Sequence, residues 1–152
     1  MLEAARVAIN AGADGLTAHP RPDPRHALPE DVRQLSELVN SEYQNIELNV
    51  EGNPFTNQSD NGYPGFMAMV LSIRPTQVTL VPDDDHQLTS DHGWELTEKR
   101  ELDRLRSVIE RLRQVGCRVS LFMDADTEKI GQLEHIGAQR IELYTGPFAK
   151  AH

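Results

Sequence analysis

The segment GLTAHPRPDPRH, residues 15–26, closes a short apolar run with a histidine and follows it with Arg21, Arg25 and His26 among three prolines. Pro20 forbids regular continuation of the strand-like run, so the His19 imidazole projects past its end. There it serves either as a proton donor and acceptor near neutral pH or as a hydrogen-bonded structural group. Arg21, Arg25 and His26 are either solvated loop charges or, together, a pocket for phosphate or carboxylate, anions that guanidinium groups bind in bidentate fashion.

Carboxylates recur at comparable places. In NIELNVEGNPF, Glu47 and Glu51 lie four residues apart in strand-like sequence, and a period of two puts both on one face. Glu51, beside the Gly-Asn-Pro turn, is a candidate general base, or else it caps the following helix or pairs with an arginine. The segment LVPDDDHQLTSDHGWEL gathers Asp83, Asp84, Asp85, His86, Asp91 and His92. These are metal-ligand residue types, but adjacent aspartates point different ways and no His-x-His or Glu-x-x-His spacing supports a site. Thr89 and Ser90 are positioned to donate to a ligand phosphate or hydroxyl, or to cap a short helix. Asp126 or Thr127 is expected to cap the helix after Asp124. Glu142 alternates with Ile141 and Leu143, so it occupies the opposite face, inside the sheet if that apolar pair packs on helices. Cys117, the single cysteine, is expected to be a small buried hydrophobe.

The elements that must carry these residues are short β-type runs at 15–19, 45–50, 77–81, 118–124 and 140–145. Helical patterns lie between them, clearest from about Thr97 to Val115, where Leu102, Leu105, Val108, Ile109, Leu112 and Val115 form one stripe. A further short helix is expected at Phe66–Ile73, after the turn-rich NQSDNGYPG loop. Gly12, Gly116 and Gly137 each follow a helical stripe and precede a strand, which fits the left-handed position that closes a helix. A repeated helix-glycine-strand phrase implies parallel strands with helical crossovers. No glycine-rich dinucleotide loop follows any strand, while His19, Glu51, Asp83, Asp124 and Thr145 sit at the C-terminal strand ends where a β/α barrel gathers its chemistry.

The fold class is therefore α/β, a TIM-type (β/α)8 barrel present in part, with about five parallel strands in a single domain over 1–152. The chain opens inside a helix and stops after a strand with no helix to follow, so it reads as a middle portion. Its 24 acidic and 15 basic side chains give a formal charge of −9, which argues against nucleic acid or an anionic membrane as partner. No apolar run approaches the roughly 20 residues of a membrane span and no secretory leader is evident, so a soluble cytoplasmic protein is expected.

GADGLTAHPRPDPRH, NVEGNPF, QVTLVPDDDHQLTSDHGWEL, VSLFMDAD and IELYTGPFA, in this order, closely resemble the pyridoxine 5'-phosphate synthase family. The resemblance implies a β/α barrel that condenses 3-amino-2-oxopropyl phosphate with 1-deoxy-D-xylulose 5-phosphate, releasing phosphate and water. It implies small phosphorylated substrates, no metal or organic cofactor, and a homo-oligomer, commonly an octamer. By position it makes His19 a general acid and base, Glu51 the catalytic glutamate, Arg21, His26 and Thr89 contacts to the deoxyxylulose phosphate, and Glu142 an interior carboxylate near the active site. The five strands match the family's strands 2 to 6. Its first strand, and its last two with a further catalytic histidine and glycine-rich phosphate contacts, have no counterpart here, so this chain alone is expected to be inactive. The rival expectations are a metal-dependent barrel hydrolase or aldolase using His19, Asp83 and Asp124, and a non-catalytic fragment acting as an assembly partner.

Overall fold

The computed structural model describes residues 1–23, 25–84 and 87–151, with backbone alone at 132 and 134. Helices and strands alternate: α1 (Leu2–Asn10), β1 (Gly15–Ala18), α2 (Pro29–Glu42), β2 (Glu47–Gly52), α3 (Phe66–Ile73), β3 (Gln77–Leu80), α4 (Lys99–Gln114), β4 (Arg118–Asp124), α5 (Thr127–Gly131), a 3-10 turn (Gln132–His135), β5 (Arg140–Tyr144) and α6 (Gly146–Ala151). The strands form one sheet in the order β1-β2-β3-β4-β5, every neighbouring pair parallel.

The sheet is curled. β2 and β5 are three strand spacings apart, about 14 Å on a flat sheet, yet Arg140 Nη1 of β5 lies 3.7 Å from Glu47 Oε2 of β2. This is the arc of a β/α barrel, as the repeated phrase predicts. The three helix-closing glycines adopt left-handed backbone, with φ of 99° at Gly12 and 90° at both Gly116 and Gly137.

Alternation along the strands sorts the two faces. Leu48, Val50, Val78, Leu80, Val119, Leu121 and Met123 are buried beneath the helices, where Val32, Leu35, Leu38 and Val39 of α2, Phe66, Met69 and Val70 of α3, and Leu105, Ile109 and Leu112 of α4 meet them. The α4 stripe is the one its spacing predicts, and the helix falls within two residues of the expected bounds. Asn49, Thr79 and Ser120 point to the concave face and are buried polar groups. Cys117 is buried and reduced, and burial pushes its thiol up, away from a reactive thiolate.

Two expectations are corrected. β2 begins at Glu47, not Asn45, because the Ile46 amide closes a turn on the Tyr43 carbonyl at 2.8 Å as the chain leaves α2. A short helix, α6, does follow β5. Pro147 suits a first helical turn, and the Ala149 amide donates to the Thr145 carbonyl at 3.0 Å. Ile141 and Leu143 occupy the convex face of β5 and remain 40 % and 45 % exposed. Among the described residues no helix is long and apolar enough to cross a membrane.

The segment between β3 and α4 is seated directly on β4. The Gly93 amide donates to Asp124 Oδ1 at 3.1 Å, and the Trp94 amide to the Phe122 carbonyl at 3.2 Å. A Cβ at Gly93 would stand 2.2 Å from the Asp124 nitrogen and 2.5 Å from Met123 Cα, backbone that cannot swing aside. Gly93→Ala should therefore cost about 2 kcal/mol and lower Tm by about 4–8 °C, as overpacking does in a domain of this size. A thermal melt unchanged to within a degree would show that the segment is not seated there.

Candidate active site

The concave face is built in levels. At its N-terminal floor Arg118 donates from Nη1 to Glu47 Oε1 at 3.0 Å, from Nη2 to Glu47 Oε2, and from Nε to Gln77 Oε1 at 2.9 Å. Arg140 adds a bond to the same Gln77 oxygen at 3.1 Å. The Arg118 guanidinium holds the Glu47 carboxyl below the usual carboxylate range. Above this, Thr79 Oγ1 donates to Asn49 Oδ1 at 3.0 Å and Asn49 Nδ2 donates to Thr17 Oγ1 at 3.3 Å, a ladder across three strands. Both levels are internally satisfied and present little free chemistry.

The top level differs. His19, one residue beyond β1, has its Nδ1 3.4 Å from Glu51 Oε1 of β2 and its Nε2 3.9 Å from Asp83 Oδ2 beyond β3. The imidazole thus stands between two carboxylates from neighbouring strand ends. The His26 ring meets it edge-on, with centroids 5.7 Å apart. Glu142 of β5 faces the same space. Burial, then the charge of Glu51, push its carboxyl upward. Glu47 and Glu51 share a face as predicted, and it is Glu51 that reaches the histidine.

Arg21 is not an open clamp. Its Nη1 donates to Asp83 Oδ2 at 3.0 Å, and its Nη2 to the carbonyls of Asp84 and Gln87 at 3.1 and 2.6 Å. Its side chain is 3 % exposed. Arg25 is exposed and paired with Asp23, whose carboxyl it holds low. The anion pocket expected of Arg21, Arg25 and His26 is thus present as residues but occupied by the chain's own carboxylates. Thr89 is exposed. Ser90 Oγ donates to Asp83 Oδ2 at 2.8 Å, and Asn53 Nδ2 donates to the Asp83 carbonyl at 2.8 Å. Sequence reasoning picks Asp83 out as a strand-end residue and a metal candidate; its role as the partner of Arg21 and Ser90 escapes it.

The metal reading does not assemble. Asp83 is held by Arg21 and Ser90, Asp124 accepts the Gly93 amide, and Asp91 pairs with His92 at 2.6 Å. Asp85 and His86 lie outside the described residues. Among the described residues no three His, Cys, Asp or Glu side chains are grouped to hold a metal. Asp126 caps α5 as predicted, its Oδ1 accepting the Glu128 amide at 2.9 Å.

Comparison with known proteins agrees with the fold. A solved structure of L-ribulose 3-epimerase superposes with a TM-score of 0.51 over 93 % of this chain and 53 % of its own, at 14 % identity, a likeness of fold alone. Pyridoxine 5'-phosphate synthases of Xanthomonas campestris pv. campestris and Xylella fastidiosa are 51 % and 47 % identical over all 152 residues. The chain spans 57 % and 56 % of their respective lengths. The family described as "Pyridoxal phosphate biosynthesis protein PdxJ" matches residues 1–152, and the chain belongs to it.

Proposed function

We propose that this chain supplies part of the active site of a pyridoxine 5'-phosphate synthase, which joins 3-amino-2-oxopropyl phosphate to 1-deoxy-D-xylulose 5-phosphate and releases phosphate and water. The observation that carries this reading, beside the family itself, is the His19 imidazole standing 3.4 Å from Glu51 and 3.9 Å from Asp83 at adjacent strand ends. Joining an amine to a ketone needs a proton delivered to the departing hydroxyl. Closing the ring needs a proton removed beside a carbonyl or imine. A histidine flanked by carboxylates suits both transfers. Glu51 acts as the base that accepts a proton from substrate or from His19. Arg21, His26 and Thr89 bind the deoxyxylulose phosphate, and Glu142, pushed toward its neutral form, is an interior carboxylate beside the reacting atoms. As a biosynthetic enzyme on small phosphorylated substrates it acts in the cytoplasm and assembles as a homo-oligomer, an octamer in the family pattern, which sedimentation would test.

In the active enzyme Glu51→Gln should lower kcat roughly 10²- to 10⁴-fold while KM moves little, because the amide keeps the shape and loses the base. Turnover within two-fold of wild type would remove Glu51 from its role. Glu142 makes a second, pH-dependent prediction. With its carboxyl raised in the folded state, the native chain binds the proton more tightly than the unfolded chain, so stability falls as pH rises through the window above the ordinary carboxylate value. Glu142→Gln removes that loss. Denaturant melts should show the variant gaining on wild type near neutral pH, with the gain shrinking toward pH 4; a gain independent of pH would mean the carboxyl is not strained.

A further inference from the structure

Asp83 is 5 % exposed, and one of its oxygens, Oδ2, serves three groups: Arg21 Nη1 at 3.0 Å, Ser90 Oγ at 2.8 Å and His19 Nε2 at 3.9 Å. The other, Oδ1, is buried, and no donor among the described residues reaches it. Asp23 Oδ1 is in the same condition, and Asp23 Oδ2 lies 4.0 Å from Arg21 Nε. One buried guanidinium is therefore flanked by two carboxylates, each with an acceptor to spare, and its remaining Nη2 donors go to the Asp84 and Gln87 carbonyls.

A dianionic phosphate cannot enter this arrangement unchanged. Set beside Asp83 it would face a like charge in a poorly solvated place, where such repulsion is strong. We propose that Asp83 is a positioning residue that acts as the internal counter-ion of Arg21, so that phosphate capture is an exchange: the incoming anion takes the guanidinium, and the Asp83 carboxylate, kept in place by Ser90, turns to His19 Nε2. Asp83 has this role only if the site receives a phosphorylated substrate, as proposed above. The exchange couples anion binding to the proton-transfer group, since the carboxylate released by Arg21 is already within 4 Å of the imidazole at 3.9 Å.

Inorganic phosphate, titrated into the full chain and followed by amide and phosphorus NMR, distinguishes this exchange from mere support of Arg21. Asp83→Asn keeps the shape and removes the competing charge, so phosphate should bind roughly ten-fold tighter, the scale of one charge-assisted hydrogen bond. Asp83→Glu should restore wild-type affinity, and Arg21→Gln should abolish binding in either background. A folded Asp83→Asn chain that binds phosphate equally or more weakly overturns the proposal. So does binding indifferent to Arg21→Gln. If Asp83→Asn fails to fold, Ser90→Ala decides: losing the hydroxyl leaves the carboxylate more dependent on Arg21, and phosphate affinity should fall several-fold, whereas an unchanged or raised affinity overturns the exchange. Phosphate that binds neither wild type nor Asp83→Asn would instead remove the phosphorylated-substrate reading of the site itself.

Discussion

A curled parallel sheet sends every second residue to its concave face, and in this chain most of those residues are polar. A buried polar group without a partner costs more than the hydrogen bond it forgoes, so the concave face must satisfy itself before it can spare anything for chemistry. The floor does so with Arg118, Glu47, Gln77 and Arg140, and the level above with Thr17, Asn49 and Thr79. These bonds cross from strand to strand and hold the curvature as well as the charges. The site at the rim exists because the two levels beneath it are closed.

Much of this is legible along the chain because it depends on local period. The α4 stripe, the glycine that ends each helical phrase, and the shared face of Glu47 and Glu51 follow from 3.6- and 2-residue repeats, and all appear in the fold. His19 at a strand end is equally local. The Arg21 partnership is not. Asp83 lies 62 residues away, beyond β3, and meets Arg21 across the end of β2, which lies between β1 and β3 in the curled sheet. Sequence spacing carries no trace of that neighbourhood, so the arginine reads as a free cation and the aspartate as a possible metal ligand. The start of β2 and the presence of α6 were misplaced for a smaller reason: turn hydrogen bonds at Tyr43–Ile46 and Thr145–Ala149 override what residue type suggests.

The chain's formal charge of −9 bears on the same pairings. Even in an acidic protein, a guanidinium buried to 3 % exposure is unstable without an anion beside it. Asp83, 3.0 Å from Nη1, and Asp23, 4.0 Å from Nε, supply that anion for Arg21.

Two glutamates four residues apart on one strand show how position along a strand, more than residue type, decides between architecture and chemistry. Glu47 is at the level where Arg118 and Arg140 reach in from β4 and β5, and it is gripped through both oxygens. Glu51 is the last residue but one of β2, above the arginines of the floor, with the His19 imidazole 3.4 Å away. A carboxylate locked to a guanidinium has little proton affinity to offer, whereas one beside an imidazole can exchange a proton with it. The supply of arginine at each level of the concave face thus separates the residue that ties β2 to β4 and β5 from the residue proposed above as the base.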